Sequence, residues 1–466
     1  MKLSFFGYGL TTRAIARRLG GDQTFYDDRT EAPWQDEEGN TIFPSSHFDP
    51  ETSDLEILTP SIRPDHPLLQ KAHNPISEYD LFLGEGSPIH HLPFAIQHPQ
   101  KGTHKGSPYE ADSPSTQHPT SNLSTSNIQD PRSTKGHPQG EPLPTPFTIW
   151  ISGTNGKTTT TQMLTHLLAS RGAIAGGNIG TPLADLDPSA PIWVLESSSY
   201  ALHHTHTASP DIYLLLPITP DHLDWHGTAQ AYADDKLRPL LSMREGELAL
   251  VPKGLDLPPT NAWVVEYDSV EFLAEFFDLD PSRLRYRAAF LEDAMLALSV
   301  SRTLFDQADY DRLNAFTRDH HRQEEIIDAF GRLWVNDSKA TNVDATLQAL
   351  ATYADRPIHL ILGGDDKGVD LSELMDTIAT MQITLYAVGS NHEKLTLMAH
   401  QRSICIDDCG DVFTAVTRIS ASLKKDEVAL LSPAASSLDQ FSSYAKRGEL
   451  FLKTVKNLTE INLLQV

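Results

Sequence analysis

Cysteine is nearly absent. The 466 residues contain only Cys405 and Cys409, whose C-x3-C spacing is neither a C-x-x-C redox site nor half of a zinc site. Both read as ordinary thiols of a reducing compartment. Long apolar runs are missing too: with no stretch of about 18 apolar residues, a membrane span is not expected. The opening Met1-Lys-Leu-Ser-Phe-Phe-Gly-Tyr-Gly9 is too short an apolar stretch for a signal peptide, and glycines interrupt it. Positive charge is scarce. Lys and Arg number 37 against 62 Asp and Glu, a formal charge of −25. Such a surface repels nucleic acid phosphates and anionic lipid, so neither is an expected partner. Basic groups that hold an anionic substrate must then be gathered into one site. Hydrophobic residues make up 39% of the chain, enough at this length to bury several cores. The length itself suggests about three domains.

The first segment, 1–87, has the strand–glycine turn–helix order of a Rossmann unit. Leu3-Ser-Phe-Phe6 reads as a strand, Gly7-Tyr-Gly9 as the turn, Arg13 to Leu19 as a helix, and Thr24-Phe-Tyr26 as a strand ending at Asp27-Asp28-Arg29. Leu55-Glu-Ile-Leu58 is a further strand. A third glycine is lacking, because Thr12 stands where G-x-G-x-x-G needs it, so a dinucleotide site is not implied. Aliphatic residues nearly vanish over 88–145, where Pro, Ser, Thr, His, Gln and Gly dominate. That segment reads as a disordered insert. Its His90, His91, His98, His104, His118 and His137 are irregularly spaced and lack Cys partners, which favours a solvated linker over a metal trap. Residues 146–318 and 319–466 read as two further α/β domains. Apolar runs at Phe147–Ile151, Ile192–Leu195, Ile212–Leu216 and Leu248–Val251 mark the first. A strand and turn at Leu333–Asp337 are followed by runs at Ile358–Leu362, Leu385–Val388 and Val428–Leu431, which have helical stretches between them and mark a doubly wound parallel sheet.

The strongest chemical signal is Ser152-Gly153-Thr154-Asn155-Gly156-Lys157-Thr158-Thr159, between a strand and a helix expected from about Thr159 to Ser170. Backbone N–H groups and a helix N-terminus there converge on one anion. Lys157 suits the β- and γ-phosphates of ATP, and the Thr158 hydroxyl suits Mg²⁺. Position 151 is Ile, so the loop is shorter than G-x4-G-K-[ST]. Glu196, directly after the strand Ile192–Leu195, can reach a phosphate-bound metal, and Asp221-His222-Leu-Asp224 follows the next strand.

Taken with Gly177-Asn178-Ile-Gly180, Asp337-Ser-Lys-Ala-Thr-Asn342 and Ser432-Pro-Ala-Ala-Ser-Ser437-Leu-Asp-Gln-Phe441, these motifs resemble the Mur ligases of peptidoglycan synthesis. The resemblance covers everything except 88–145. It implies a three-domain α/β fold: a Rossmann-like N-terminal domain for the UDP substrate, a central ATP-binding domain with a parallel or mixed sheet, and a Rossmann-like amino-acid-binding domain. It implies a cytoplasmic, monomeric ATP-dependent ligase that adds D-glutamate to UDP-N-acetylmuramoyl-L-alanine through an acyl phosphate. Two Mg²⁺ ions are implied, one on Thr158 and Glu196, the other on His222 and Lys236 as a CO2-derived carbamate. By its own surroundings in the sequence, Lys236 reads as a solvated helix residue; its metal role comes from the resemblance. The catalytic set is then Lys157, His222, Lys236 and Arg322. ATP falls to Gly153, Thr154, Asn155, Gly156, Lys157, Thr158, Thr159, Asp293, Arg322, Asp337 and Lys339. The UDP substrate falls to Leu10, Thr11, Asp28, Arg29, Thr59, Asn178 and Ser198. D-Glutamate falls to His222, Thr341, Lys367, Ser437, Leu438 and Tyr444.

Three departures stand out. The family's adenine-side His-Asn-x-x-Asn is replaced by Ala289-Phe-Leu-Glu-Asp293, with Asp293 left to accept the adenine amino hydrogen. Tyr444 replaces a phenylalanine. Thr59-Pro-Ser-Ile62 replaces Ser-Pro-Gly-Ile, so its turn is expected to rearrange without the glycine. A Mur ligase adding L-alanine or a diamino acid is the nearest rival. Folylpolyglutamate synthetases share the ATP machinery but not the UDP-type first domain. A nucleotide-binding regulator without ligase activity would show decayed motifs, whereas Glu196, His222, Lys236 and Arg322 are all present.

Overall fold

The computed structural model describes residues 1–87, 146–317 and 319–463. The segment 88–145, expected to be disordered, lies outside the described residues together with its histidines. Among the described residues no helix is long and apolar enough to cross a membrane.

The fold is α/β, with three six-stranded sheets. The first contains β1 (Lys2–Phe6), β2 (Asp22–Asp27), β3 (Trp34–Gln35), β4 (Thr41–Pro44), β5 (Leu55–Leu58) and β6 (Pro75–Ile76), in the order β3-β4-β2-β1-β5-β6. Only the β3/β4 pair is antiparallel. Between β1 and β2 runs α1 (Leu10–Leu19), which starts three residues before the expected Arg13. Thr12 explains both that start and the missing glycine. Its hydroxyl donates to the Gly7 carbonyl (2.8 Å) and accepts from the Gly9 N–H (3.1 Å), closing the turn with a side chain. Gly7 itself is obligatory: it has φ +93°, and a Cβ there would lie 2.7 Å from Thr59 Cγ2. The variant loop Thr59–Ile62 makes its turn without a positive φ at Ser61.

The second sheet is wholly parallel, in the order β12-β11-β10-β7-β9-β8. Its strands are β7 (Phe147–Ser152), β8 (Ala173–Gly177), β9 (Ile192–Glu196), β10 (Ile212–Leu215), β11 (Leu248–Pro252) and β12 (Trp263–Tyr267). Ile149, Trp150, Ile151, Val194, Leu195 and Leu214 are fully buried. Continuous apolar runs are what a sheet covered on both faces requires, and each aliphatic side chain contributes about 1.5–3 kcal/mol. Because β7 pairs with both β9 and β10, the loops carrying the phosphate motif, Glu196 and Asp221-His222 leave neighbouring strands at one end. Helix α2 (Pro67–Lys71) lies between β5 and β6, α3 (Glu78–Leu83) follows the first sheet, and α4 (Lys157–Leu168), α5 (Ser199–His203), α6 (Leu223–His226) and α7 (Ala229–Leu237) accompany the second. Residues from the two sheets share one apolar cluster.

The third sheet has the order β13-β14-β18-β15-β16-β17. Its strands are β13 (Glu324–Ile327), β14 (Leu333–Asn336), β15 (Ile358–Leu362), β16 (Ile383–Val388), β17 (Cys405–Gly410) and β18 (Val428–Leu431); only β13 is antiparallel to its neighbour. By contact density the chain divides into two compact units. One is Met1–Arg285 with Glu292–Asn314, and the other is Tyr286–Leu291 with Ala315–Val466.

Candidate active site

Two glycines shape the phosphate loop. Gly153 has φ +135°, and a Cβ would stand 2.5 Å from Leu216 Cβ. Gly156 adopts the left-handed conformation at φ 80° and caps α4, which therefore begins at Lys157 rather than at the expected Thr159. A Cβ on Gly156 would lie 2.6 Å from Asp293 Oδ1. That carboxylate oxygen accepts from Thr160 Oγ1 at 3.0 Å, so Asp293 is buried behind the loop and braces it. Lys157 Nζ donates to the carbonyls of Gly153 (2.9 Å) and Thr154 (2.7 Å).

A second lysine meets the same carbonyl. Lys236 Nζ donates to Gly153 O at 2.7 Å and lies 4.6 Å from the Tyr232 ring centroid. It is 1% exposed, which corrects the sequence-based reading of a solvated helix residue. Burial, and after it the Lys157 charge, push its pKa well below the usual lysine range. Glu196 is also buried. Its Oε1 accepts from Asn178 Nδ2 at 2.6 Å, while its Oε2 is buried without a hydrogen-bond partner among the described residues. Asn178 is thus turned to Glu196, and the Ser198 hydroxyl caps α5 by accepting from the Ala201 N–H. His222 takes a left-handed conformation at φ 54°, strained for a non-glycine residue, with its N–H on Asp221 Oδ1 at 2.8 Å. Burial lowers its pKa, favouring the neutral imidazole a metal needs. Among the described residues, no group of three or more His, Cys, Asp or Glu forms a ready metal cluster.

On the first sheet, Asp27 takes the Tyr8 N–H at 2.8 Å and pairs with Arg29 through two bonds of 2.9 Å. The Arg29 hydrogen bond is the main force holding the Asp27 carboxyl down to about 2. A depression of about 640 Å³ opens there, lined by Tyr8, Asp27, Arg29, Thr30 and Trp34 among others. Of the residues expected to meet the UDP group, only Arg29 lines it. Asp28 is engaged by His66 Nε2 at 2.7 Å, Leu10 is exposed at the start of α1, Thr11 is half-buried, and Thr59 packs beneath Gly7.

At the carboxyl ends of the third sheet, buried Asp337 accepts from the Gln323 N–H (3.2 Å) and the Ser432 hydroxyl (3.0 Å). Arg322 sits between two residues of positive φ, His321 and Gln323, and its Nε is buried without a hydrogen-bond partner among the described residues. Lys339 Nζ lies 5.3 Å from the Tyr444 ring centroid. Thr341 is exposed, Lys367 is left-handed at φ 49°, Ser437 is buried, and Leu438 is exposed.

Comparison with known proteins agrees with this geometry. Residues 151–258 match the family model described as the Mur ligase middle domain. The UDP-N-acetylmuramoylalanine–D-glutamate ligase of Campylobacter jejuni subsp. jejuni (strain 81-176) is 42% identical over 461 residues, covering 98% of this chain and 100% of that one. The protein of the same name from Helicobacter pylori (strain ATCC 700392 / 26695) is 39% identical over 469 residues, covering 97% and 98%. The chain belongs to the Mur ligase family. For the fold alone, the MurF ligase of Thermotoga maritima in complex with ADP superposes with a TM-score of 0.53 at 17% identity, over 68% of this chain and 81% of that one.

Tyr232 and Arg447 are among the residues of this Mur ligase that its sequence did not announce. Tyr232 bonds the Thr154 hydroxyl at 3.1 Å and so joins α7 to the phosphate loop. Arg447 is 2% exposed and donates to Ser338 Oγ (3.0 Å), Ser338 O (2.9 Å) and Ala435 O (3.1 and 3.2 Å). It ties the loop after β14 to the loop after β18, and burial pushes its pKa down to about 10. A signal was available: Arg447, Phe451 and Val455 fall four apart on the helix Tyr444–Leu463, and all three are buried. A basic residue on an apolar stripe marks a buried hydrogen-bonding role.

Proposed function

We propose that this chain joins D-glutamate to UDP-N-acetylmuramoyl-L-alanine, cleaving ATP to ADP and phosphate, in the cytoplasmic synthesis of peptidoglycan precursors. The observation that carries the reading is Lys157 held on the Gly153 and Thr154 carbonyls of the phosphate loop, with Glu196 buried at the end of the adjacent strand and its Oε2 left open to a cation. A carboxylate and a triphosphate repel each other, and a site that joins them must concentrate cationic groups. The names of the Campylobacter and Helicobacter relatives support the acceptor and the UDP substrate.

In the proposed reaction the substrate carboxylate attacks the γ-phosphorus, ADP leaves, and an acyl phosphate forms. The amine of D-glutamate then attacks the acyl carbon, phosphate departs, and the amine proton goes to solvent. Lys157 and the N–H groups of 153–159 hold the phosphates. Arg322, with its unpartnered Nε, is proposed for the γ-phosphate, Asp337 for the ribose and Lys339 for the phosphate side. D-Glutamate is assigned to His222, Thr341, Lys367, Ser437, Leu438 and Tyr444. The depression beside Arg29 is assigned to the UDP group, a reading its two aromatic walls, Tyr8 and Trp34, support.

The residues fit Mg²⁺. Glu196 Oε2 is a buried, unpartnered oxygen, and Mg²⁺ is held by one or two carboxylates with phosphate and water completing its shell. Thr158 and Glu196 are assigned one ion, His222 and Lys236 a second. When bound, the ions draw the two anions together and spread the charge of transfer. Lys236 fits only once modified, because an ammonium repels a cation. Its depressed pKa favours the free amine, which attacks CO2, forms a C–N bond and releases a proton, leaving an anionic carbamate. The proposed enzyme acts as a monomer.

The test is ADP release with ATP, Mg²⁺ and UDP-N-acetylmuramoyl-L-alanine, offering D-glutamate, L-glutamate, L-lysine or meso-diaminopimelate separately. Release with D-glutamate alone is expected. Release only with another amino acid keeps the family and overturns the acceptor, and silence with all four overturns ligase activity.

A further inference from the structure

We infer that Asp235, acting through His226 and His203, is a positioning residue for Glu196, His222 and Lys236. The inference rests on the metal reading of those three residues. Asp235 is 4% exposed on α7, and a carboxylate so buried must be paired. Three donors meet it: His203 Nδ1 at 2.8 Å, His226 Nδ1 at 2.8 Å and Arg238 Nη2 at 3.0 Å. They come from three separate elements, and each element contains or closely follows one of the metal-side residues. His203 ends α5, which begins three residues after Glu196. His226 ends α6, which His222 caps. Arg238 caps the end of α7, which carries Lys236.

Helices of four or five residues have no stability of their own, so their placement depends on such clamps. The clamp continues past Asp235. With its Nδ1–H given to Asp235, the His226 ring presents Nε2 as an acceptor, and the Ser199 hydroxyl lies 3.0 Å from it. This Ser199–His226–Asp235 chain has the connectivity of a nucleophilic triad, but Ser199 is 3% exposed and closed to a substrate. Its work is to fix the start of α5 against the end of α6. Aromatic contacts carry the placement to the ligands. The Tyr200 ring stacks on His226 at 5.6 Å and meets His222 at 5.1 Å. The Tyr232 ring lies 5.2 Å from His226 and beneath Lys236 Nζ. A shift of His226 therefore displaces both His222 and Lys236. Groups that orient ligands in this way change metal affinity by about 10–100-fold when removed.

The experiment uses the full chain with a non-hydrolysable ATP analogue. Bound Mn²⁺ is read from the spin-resonance signal of the free ion, with thermal melting and metal-free analogue binding followed in parallel. Asp235→Asn and His226→Gln are each expected to weaken Mn²⁺ binding by about tenfold or more while analogue binding without metal is retained. Ser199→Ala, which removes one hydroxyl, is expected to weaken it about threefold and decides the question where the other two variants do not fold. Mn²⁺ affinity unchanged in the folded variants, with Glu196→Gln losing it, overturns the inference and keeps the metal reading. If Glu196→Gln also binds Mn²⁺ as the parent does, the metal reading itself fails.

Discussion

The phosphate loop takes its groups from one consecutive stretch, Ser152 to Thr159, held between β7 and α4. The cluster at the carboxyl ends of the third sheet is assembled from separate stretches: 321–323, 337–341, the loop after β15 and the loop after β18. One buried guanidinium, Arg447, joins two of them. In the first region the backbone conformation of Gly153 and Gly156 does the positioning, and both glycines are visible in the sequence. In the second, positioning passes through a side chain more than a hundred residues from one of its partners, Ser338. Local assembly keeps its backbone shape when a remote side chain is lost, whatever chemistry that side chain supplied; distributed assembly loses the shape itself.

The largest expected effect tests the local region at a remote member. Lys236→Ala should lower ligation by roughly 10²–10³-fold, the scale of removing a group that stabilises developing charge. Added formate or acetate should restore part of it, since a small carboxylate can occupy the place of carbamate oxygens. Full activity without any addition would remove Lys236 from the reaction. Next comes Arg447→Ala, which strands two buried carbonyls and should destabilise the second unit by about 2–4 kcal/mol. The apparent requirements for D-glutamate and ATP should rise together, because Ser338 and Ala435 belong to different loops. Arg447→Lys should not rescue, having no planar fork. If ATP and D-glutamate requirements separate, the two loops are not coupled through Arg447 and the contrast drawn above breaks.

What could be read from the sequence follows the same division. The apolar runs of β1, β7, β9, β10, β15 and β18 announced buried parallel strands. Less apolar strands did not: β8 is Ala-Ile-Ala-Gly-Gly, and β17 is Cys-Ile-Asp-Asp-Cys-Gly with no fully buried residue. They become strands because a neighbour supplies the ladder, a tertiary effect that propensity does not carry. The start of α1 was misjudged because Thr12 does with its hydroxyl what a glycine would have done with its backbone. Arg447, Tyr232 and Asp235 were missed for one reason: each acts on partners brought near only by folding. Lys236 was legible through family resemblance alone, since its burial depends on β7, α4 and α7 meeting.

Asp293 separates bracing from recognition at the phosphate loop. Its Oδ1 holds Thr160 and lies against Gly156, so Asp293→Ala should raise the ATP requirement about tenfold and slow turnover far less. Asp293→Asn keeps an oxygen for the Thr160 hydroxyl and should recover most of the loss. Steady-state kinetics with ATP and GTP decides between the roles. Unchanged preference for ATP in the alanine variant fits a brace, whereas lost preference means that Asp293 reads the adenine.

The smallest effect asks whether distributed assembly also operates inside the first unit. Glu78, on α3 after the first sheet, is 6% exposed and accepts from the Ala184 N–H at 3.4 Å beyond β8. Burial pushes its pKa up to about 8, so the folded protein keeps the proton that the unfolded chain gives up near pH 4.5. Through this group the folded state then binds more protons than the unfolded one between those values, and the Glu78 contribution to stability falls as pH rises from about 4.5 to 8. Glu78→Gln mimics the protonated acid and escapes that loss. Its melting temperature should match the parent's near pH 4 and exceed it by several degrees at pH 8.5, each kcal/mol being worth about 2–4 °C in a domain of this size. A difference that stays constant with pH would mean that Glu78 is ionised in the folded protein. The join of α3 to the 183–185 turn would then be an ion-accepting contact, not a neutral one.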